Sequence, residues 1–90
     1  MTQLERLEAN EVETEGMILI DDADIAEALI GVTDSDKPRA VYDYEKLVEA
    51  YVNKHGLSME EAMDHVCFNI IRSLPYYGEN APIIVDLFKE

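Results

Sequence analysis

Three aspartates, Asp21, Asp22 and Asp24, form the densest group of metal-ligand side chains in the sequence. Clustered carboxylates can hold Mg²⁺ or Ca²⁺. The calcium loop of an EF-hand also needs oxygen ligands at alternating positions, a central glycine and a late glutamate, and these do not line up here. The aspartates suit a helix start, where a carboxylate caps the backbone and meets the positive end of the helix dipole. We therefore predict capping residues, with no metal and no cofactor.

A second group that could do chemistry lies further along the chain. Glu61 and His65 are one helical turn apart, with Asp64 beside them. A carboxylate that orients a histidine supports general bases and metal ligands. The same spacing is also common in surface pairs that stabilise a helix. Since no nucleophile or second ligand is near in sequence and no Gly-rich phosphate loop occurs, we predict no catalytic residues and no enzyme.

Cys67 is the only cysteine of the chain. It follows Val66 on the apolar side of a predicted helix, two turns from the helix start. Reactive thiolates need a positive or helix-N-terminal setting. We therefore expect Cys67 to be a small buried hydrophobic residue.

Size and charge limit the classes of partner. The chain has 90 residues, of which 48% are apolar, and this predicts one domain with a modest core. Twenty acids against seven bases give a net charge of -13, so we predict no direct binding to nucleic acid or to anionic membranes. We predict no secretory leader at the N-terminus, and the sequence has no apolar run of about 20 residues. A single cysteine excludes an intrachain disulfide, and together these features favour a cytoplasmic protein.

The negative charge is concentrated near the N-terminus. Residues 1–24 contain eight acids and one base, a net charge of -7. The Thr2-to-Glu5 segment is typical of a capping box. However, only Leu4, Leu7 and Val12 would give a helix there an apolar side. Residues 1–15 are therefore predicted to be a marginal helix or a mobile acidic arm, and residues 16–90 a single domain.

Short apolar segments and two longer periodic segments define the predicted elements. Strands are expected at residues 17–20, 39–42 and 82–88, and a short helix at residues 23–30 that ends at Gly31. Residues 33–38 are predicted to be a loop. Two amphipathic helices should span residues 44–55 and 59–74, separated by Gly56 and ended by Pro75, with residues 76–80 as a loop. The fold class is therefore α+β, with about three short strands packed against two amphipathic helices.

The helix over residues 59–74 has the strongest apolar periodicity of the chain. We expect it to bury one broad side, and a capping box formed by Ser58 and Glu61 should start it. The residues of that side are Met59, Ala62, Met63, Val66, Cys67, Ile70, Ile71 and Leu74.

Carboxylates and tyrosines are the candidate partner-binding residues. Tyr44 and Tyr51 are expected in the core and Tyr42 at the edge of the sheet. Tyrosines carry much of the energy of protein interfaces. The tyrosine pair before Gly78 either folds back onto the core or contacts a partner. The predicted partner-binding residues are Glu60, Glu61, Asp64, Tyr76, Tyr77 and Glu79.

Four segments, in this order, resemble a known group of proteins. They are Ala40-Val-Tyr-Asp-Tyr-Glu-Lys46, Gly56-Leu-Ser-Met-Glu-Glu-Ala62, Phe68-Asn69 and Tyr77-Gly-Glu-Asn-Ala-Pro-Ile83. The chain resembles short acidic uncharacterised proteins of phages, prophages and other bacterial genomes, over about residues 22–86. The resemblance implies an α+β fold and a phage or mobile-element source. It implies no catalytic or ligand residues.

These observations predict a small, acidic, non-enzymatic protein that binds a partner protein with a basic surface. The resemblance adds that it would be a phage-encoded inhibitor or modulator of a host nucleic-acid-handling or defence protein, in the bacterial cytoplasm. Two alternatives stay open. One is a homodimeric structural or accessory phage protein whose negative charge does not serve to imitate that of DNA. The other is a metal-binding regulatory domain.

Overall fold

A three-stranded mixed sheet organises the fold in the computed structural model, which describes residues 1–89. Strands β1 (Leu29–Val32), β2 (Ala40–Asp43) and β3 (Ile83–Val85) lie in the order β1-β2-β3. β1 and β2 are antiparallel, with an irregularity between Leu29 and Gly31, whereas β2 and β3 are parallel. The predicted loop over residues 33–38 joins β1 to β2. The α+β class predicted from the sequence is confirmed.

Three α-helices and a short 3-10 helix surround the sheet within the described residues. They are α1 (Gln3–Ala9), the 3-10 helix Ala23–Ala28, α2 (Tyr44–His55) and α3 (Met59–His65). α2 has the predicted bounds. The carboxylate of Asp43 accepts a hydrogen bond from the Glu45 amide, and Gly56 ends the helix in the left-handed conformation with φ of 69°. These local signals act within a few residues of the helix ends.

α3 continues into a less regular segment. A π-helical turn spans Val66–Ile70, and a 3-10 segment that contains Pro75 spans Ile71–Asn80. The prediction of a regular helix to residue 74 is therefore wrong beyond His65. The expected loop at residues 76–80 is only partly right, because 3-10 turns persist past Pro75 and are interrupted at Gly78, which has φ of 72°. Short 3-10 turns are frequent at the ends of α-helices and as connectors.

Tyr42 is at the centre of the core. It lies on the middle strand and is completely buried, together with Ile25, Leu47 and Val66. The expectation that Tyr42 occupies a sheet edge is therefore wrong. Its hydroxyl accepts a hydrogen bond from the Ile20 amide and donates one to the Gln3 side chain. Burial raises the pKa of Tyr42 to about 12.

α1 is attached to this core by packing and by hydrogen bonds. The predicted capping box between Thr2 and Glu5 is present, and Leu7 is only 4% exposed. Nε2 of the Gln3 side chain donates to the carbonyl oxygen of Ile20 at 2.8 Å, and the Arg6 guanidinium donates to that of Leu29 at 2.9 Å. Of the two alternatives for the N-terminal segment, the structure contains the helix.

Two predicted elements between α1 and β1 are wrong. Residues 17–20 belong to no strand of the sheet, because side chains of Tyr42 and Gln3 bind the backbone of Ile20 in place of a strand partner. The expected helix over residues 23–30 ends at Ala28. Leu29 and Gly31 pair with β2 instead, so Gly31 lies within β1 and not at a helix end. The strand expected over residues 82–88 is present but shorter, because β3 spans only Ile83–Val85.

Candidate functional site

The broad apolar side predicted for residues 59–74 separates into two rows along the segment. Residues of one row are buried against the rest of the fold: Ala62, Val66 and Ile70. The neighbouring row, spaced by four residues, faces solvent: Met59, Met63, Cys67 and Ile71. Met59 is 55% exposed and Met63 is 44% exposed. The prediction of one buried side is therefore wrong for half of its members.

The exposure of this row has a geometric cause. On an ideal helix the two rows differ by roughly 60° around the axis. α3 packs against α2, and the exposed methionines border this contact, where they line a groove with Tyr44 and Val48 of α2. Cys67 continues the exposed row into the π-helical turn, so its expected burial is wrong.

Met59 and Met63 line a shallow groove with residues of α2 and of the C-terminal segment. The groove has a volume of about 240 Å³. Its apolar lining comes from Tyr44 and Val48 as well as from the two methionines. Its charged lining consists of Glu45, Glu49, Asp86 and Lys89. We call these eight residues the Met59–Met63 groove.

Carboxylates flank the groove on two sides. Glu49 and Asp86 belong to its α2 and C-terminal side, where Lys89 is paired with Glu45 at 2.9 Å. On the other side, Glu60 and Asp64 each follow one of the methionines along α3, about a quarter of a turn around the axis. Both are exposed. We call these four carboxylates, Glu49, Glu60, Asp64 and Asp86, the acidic rims.

Glu61 has a different local role. Its carboxylate accepts a hydrogen bond from the Ser58 amide at 2.9 Å, while the Ser58 hydroxyl accepts one from the Glu61 amide. This completes the predicted capping box and lowers the pKa of Glu61. His65, the expected partner of Glu61, contacts Asn69 through Nδ1 at 3.1 Å.

The other predicted partner-binding residues lie on the 3-10 segment. Tyr76 is 88% exposed, and Tyr77 and Glu79 are also exposed. Tyr77 lines a cavity of about 330 Å³ together with Asp22 and His65. This cavity and the Met59–Met63 groove have no lining residue in common. The structure therefore places Glu60 and Asp64 beside the groove and Tyr77 at a different depression.

The aspartates near residue 22 adopt the predicted capping role and one further contact. Asp22 Oδ1 accepts a hydrogen bond from the Asp24 amide at 3.0 Å, at the start of the 3-10 helix. His55, at the end of α2, places Nε2 3.7 Å from Asp22 Oδ2 and 3.4 Å from Asp24 Oδ2. Sequence reasoning missed His55 because only the tertiary packing of α2 on the 3-10 helix brings it to the aspartates.

Comparisons with protein-family models, curated proteins and solved structures found no match for this chain. Among the described residues, no helix combines the length and apolar character needed to cross a membrane. The geometry of the chain is therefore the basis for assigning a function.

Proposed function

We propose that this protein is a non-enzymatic binding module whose Met59–Met63 groove receives a basic, amphipathic segment of a partner protein. The observation that carries the proposal is the pair of exposed methionines on α3, Met59 and Met63, lying between the acidic rims. A helix laid in such a groove would bury its apolar side against the methionines and direct its bases toward the carboxylates.

The apolar component supports a docking surface. Single exposed hydrophobic side chains are normal, but a continuous row of them is typical of an interaction site. Met59, Met63 and Ile71 form such a row together with Cys67. Methionine is unbranched and polarisable, so it adapts to partners of different shape.

The charge favours a basic partner over a second copy of this chain. In a two-fold dimer the same patch meets itself, so the acidic rims of the two copies would face each other. The repulsion would be reinforced by a net charge of -13 on each copy. A segment rich in lysine and arginine would instead be attracted at long range and would associate faster.

Basic surfaces in a cell belong mostly to proteins that handle nucleic acid. If the chain is phage-encoded, as its resemblance implies, the partner would be a host nucleic-acid-handling or defence protein. Occupation of a basic segment by this module would then modulate the host protein by competing with nucleic acid for the same charges.

The proposal is testable with a defined probe. We would use a fluorescently labelled amphipathic helix of leucine and lysine, about 18 residues or five turns long, and measure its anisotropy with the full chain. Replacing Met59 and Met63 together by glutamine keeps the charge and removes apolar area. Full burial of a methionine contributes about 1.5–3 kcal/mol and each is already about half buried, so the pair should contribute about 2 kcal/mol, or about 30-fold in Kd.

A second variant tests the charges. The double variant Glu60→Gln with Asp64→Asn should bind the probe more weakly in low salt, and its binding should depend less on salt. Leu4→Gln is the matched control, because Leu4 is an exposed apolar residue of another helix. Equal affinity of both double variants and the wild-type protein for the probe would refute the proposal. A wild-type dimer in sedimentation that dissociates in the methionine double variant would also refute it, in favour of a second copy as occupant.

A further inference from the structure

We propose that Asp22, Asp24 and His55 form a binding site for a divalent transition-metal ion such as Zn²⁺. Their ligand atoms come from two separate elements, the start of the 3-10 helix and the end of α2. One nitrogen and two oxygens lie within 4.8 Å of one another. The imidazole distinguishes this group from carboxylates that are merely clustered on a surface.

The separations between the ligand atoms fit a metal site and are longer than a direct hydrogen bond. His55 Nε2 lies 3.4 Å from Asp24 Oδ2 and 3.7 Å from Asp22 Oδ2. A hydrogen bond between nitrogen and oxygen spans about 2.7–3.2 Å. A tetrahedral zinc site with bonds of about 2.0–2.2 Å separates neighbouring ligands by about 3.3–3.6 Å. The two separations from His55 are therefore close to the edges of such a tetrahedron, and all three ligand atoms lie within 4.8 Å of one another.

The surrounding structure orients Asp22 and leaves one of its oxygens for a ligand. Oδ1 of Asp22 is occupied by the Asp24 amide, whereas Oδ2 faces His55. The Gln3 side chain donates to the backbone carbonyl of Asp22 at 3.2 Å. The buried side chain of Tyr51 lies beside Asp22 and lines the same cavity. Such contacts behind a ligand fix its orientation and raise metal affinity.

His55 is also held in place. It is the last residue of α2, directly before the left-handed Gly56, and its ring lies 5.2 Å from that of Tyr51. Its side chain is 40% exposed, so an ion can reach the site from solvent, and water can complete the coordination.

The donor set selects the class of metal. Imidazole with two carboxylates suits Zn²⁺ and its first-row neighbours, whereas Mg²⁺ and Ca²⁺ prefer oxygen ligands alone. When His55 is neutral, Asp22 and Asp24 place two negative charges at the site, and a divalent cation offsets both. The rival explanation of the same geometry is an ion pair between protonated His55 and the aspartates.

The test is a Zn²⁺ titration of the full chain by calorimetry, with Co²⁺ absorption as a second readout of tetrahedral coordination. We expect one ion per chain. Asp22→Asn and His55→Gln should each lower the affinity for Zn²⁺ at least about tenfold, since the loss of a ligand removes more binding free energy than the 1.4 kcal/mol that a factor of ten represents. Asparagine retains the cap, so Asp22→Asn should still fold.

Two further variants separate the metal from the ion pair. His55→Lys keeps a positive charge beside the aspartates but removes the imidazole, so it should fold and lose Zn²⁺. His65→Gln, a change of the other histidine, should bind like wild type. Wild-type affinity in His55→Lys, or no binding by the wild-type chain at millimolar Zn²⁺, would overturn the proposal. Both readouts are independent of any partner protein.

Discussion

Replacing Tyr42 by phenylalanine removes one oxygen that links three parts of the fold. The Tyr42 hydroxyl lies on the middle strand, accepts a hydrogen bond from the Ile20 amide at 3.0 Å, and donates one to the Gln3 side chain. Phenylalanine preserves the buried ring. The variant therefore isolates the contribution of these two hydrogen bonds to stability.

The expected loss follows from the groups left without a partner. An unsatisfied buried polar group costs about 1–3 kcal/mol. Both Ile20 and Gln3 are half-buried, so water can partly replace the lost contacts, and the cost should be near the lower limit for each. We expect Tyr42→Phe to lower the free energy of unfolding by about 2 kcal/mol. In a domain of this size that corresponds to a Tm lower by roughly 8–16 °C.

Urea unfolding followed by far-ultraviolet circular dichroism measures this change. Tyr76→Phe is the matched control, because it deletes the same atom from a side chain that is 88% exposed. The control should unfold within about 0.5 kcal/mol of wild type. If the two variants were equally stable, the hydroxyl of Tyr42 would not link the N-terminal helix to the sheet as described.

Three further predictions concern other features of the same chain. Leu7→Ala should lower the free energy of unfolding by about 2–3 kcal/mol in the same urea assay, because Leu7 is 4% exposed and its truncation leaves a cavity. A loss below about 0.5 kcal/mol would mean that α1 does not pack on the core. Cys67 should react completely with a thiol reagent in the native protein, since it is exposed; a thiol that reacts only in urea would contradict this. The pKa of Tyr42 is raised from 10.0 to about 12, so the stability that this shift contributes should be complete below pH 10 and lost between pH 10 and about pH 12. The free energy of unfolding, followed by dichroism across this range, should therefore decline less steeply for Tyr42→Phe than for the wild-type protein.

Both ends of α2 and the start of α3 could be predicted because their signals are local. Asp43 and Ser58 bind backbone amides two and three residues further on, and Gly56 provides the left-handed residue between the helices. Each of these signals is complete within one helical turn. The sequence therefore contains all of the atoms that decide these bounds.

The strands could be predicted in number but not all in place. Residues 17–20 and Leu29–Val32 are both short apolar segments. Only the second becomes a strand, because β2 lies beside it and supplies the ladder. β-propensity depends on such neighbours, so a pattern within one segment does not choose between the two.

The candidate site depends on what the neighbouring elements cover. Periodicity shows which residues of α3 can be buried together, but it does not show that α2 covers only one of the two apolar rows. The same limit applies to His55, which is more than thirty residues from Asp22 in sequence and 3.7 Å from it in space. The acidic residues Glu60 and Asp64 could be singled out from sequence, whereas the exposed methionines beside them could not.

The most direct test of the proposed groove uses the methionines as probes. The chain contains four, Met1, Met17, Met59 and Met63, so ¹³C-methyl labelling gives four signals in a proton–carbon correlation spectrum. Addition of the leucine–lysine helix should shift the signals of Met59 and Met63. Met17 and Met1 lie outside the groove and should stay unchanged. Shifts confined to Met1 and Met17, or saturable binding without any shift of Met59 and Met63, would contradict the proposal.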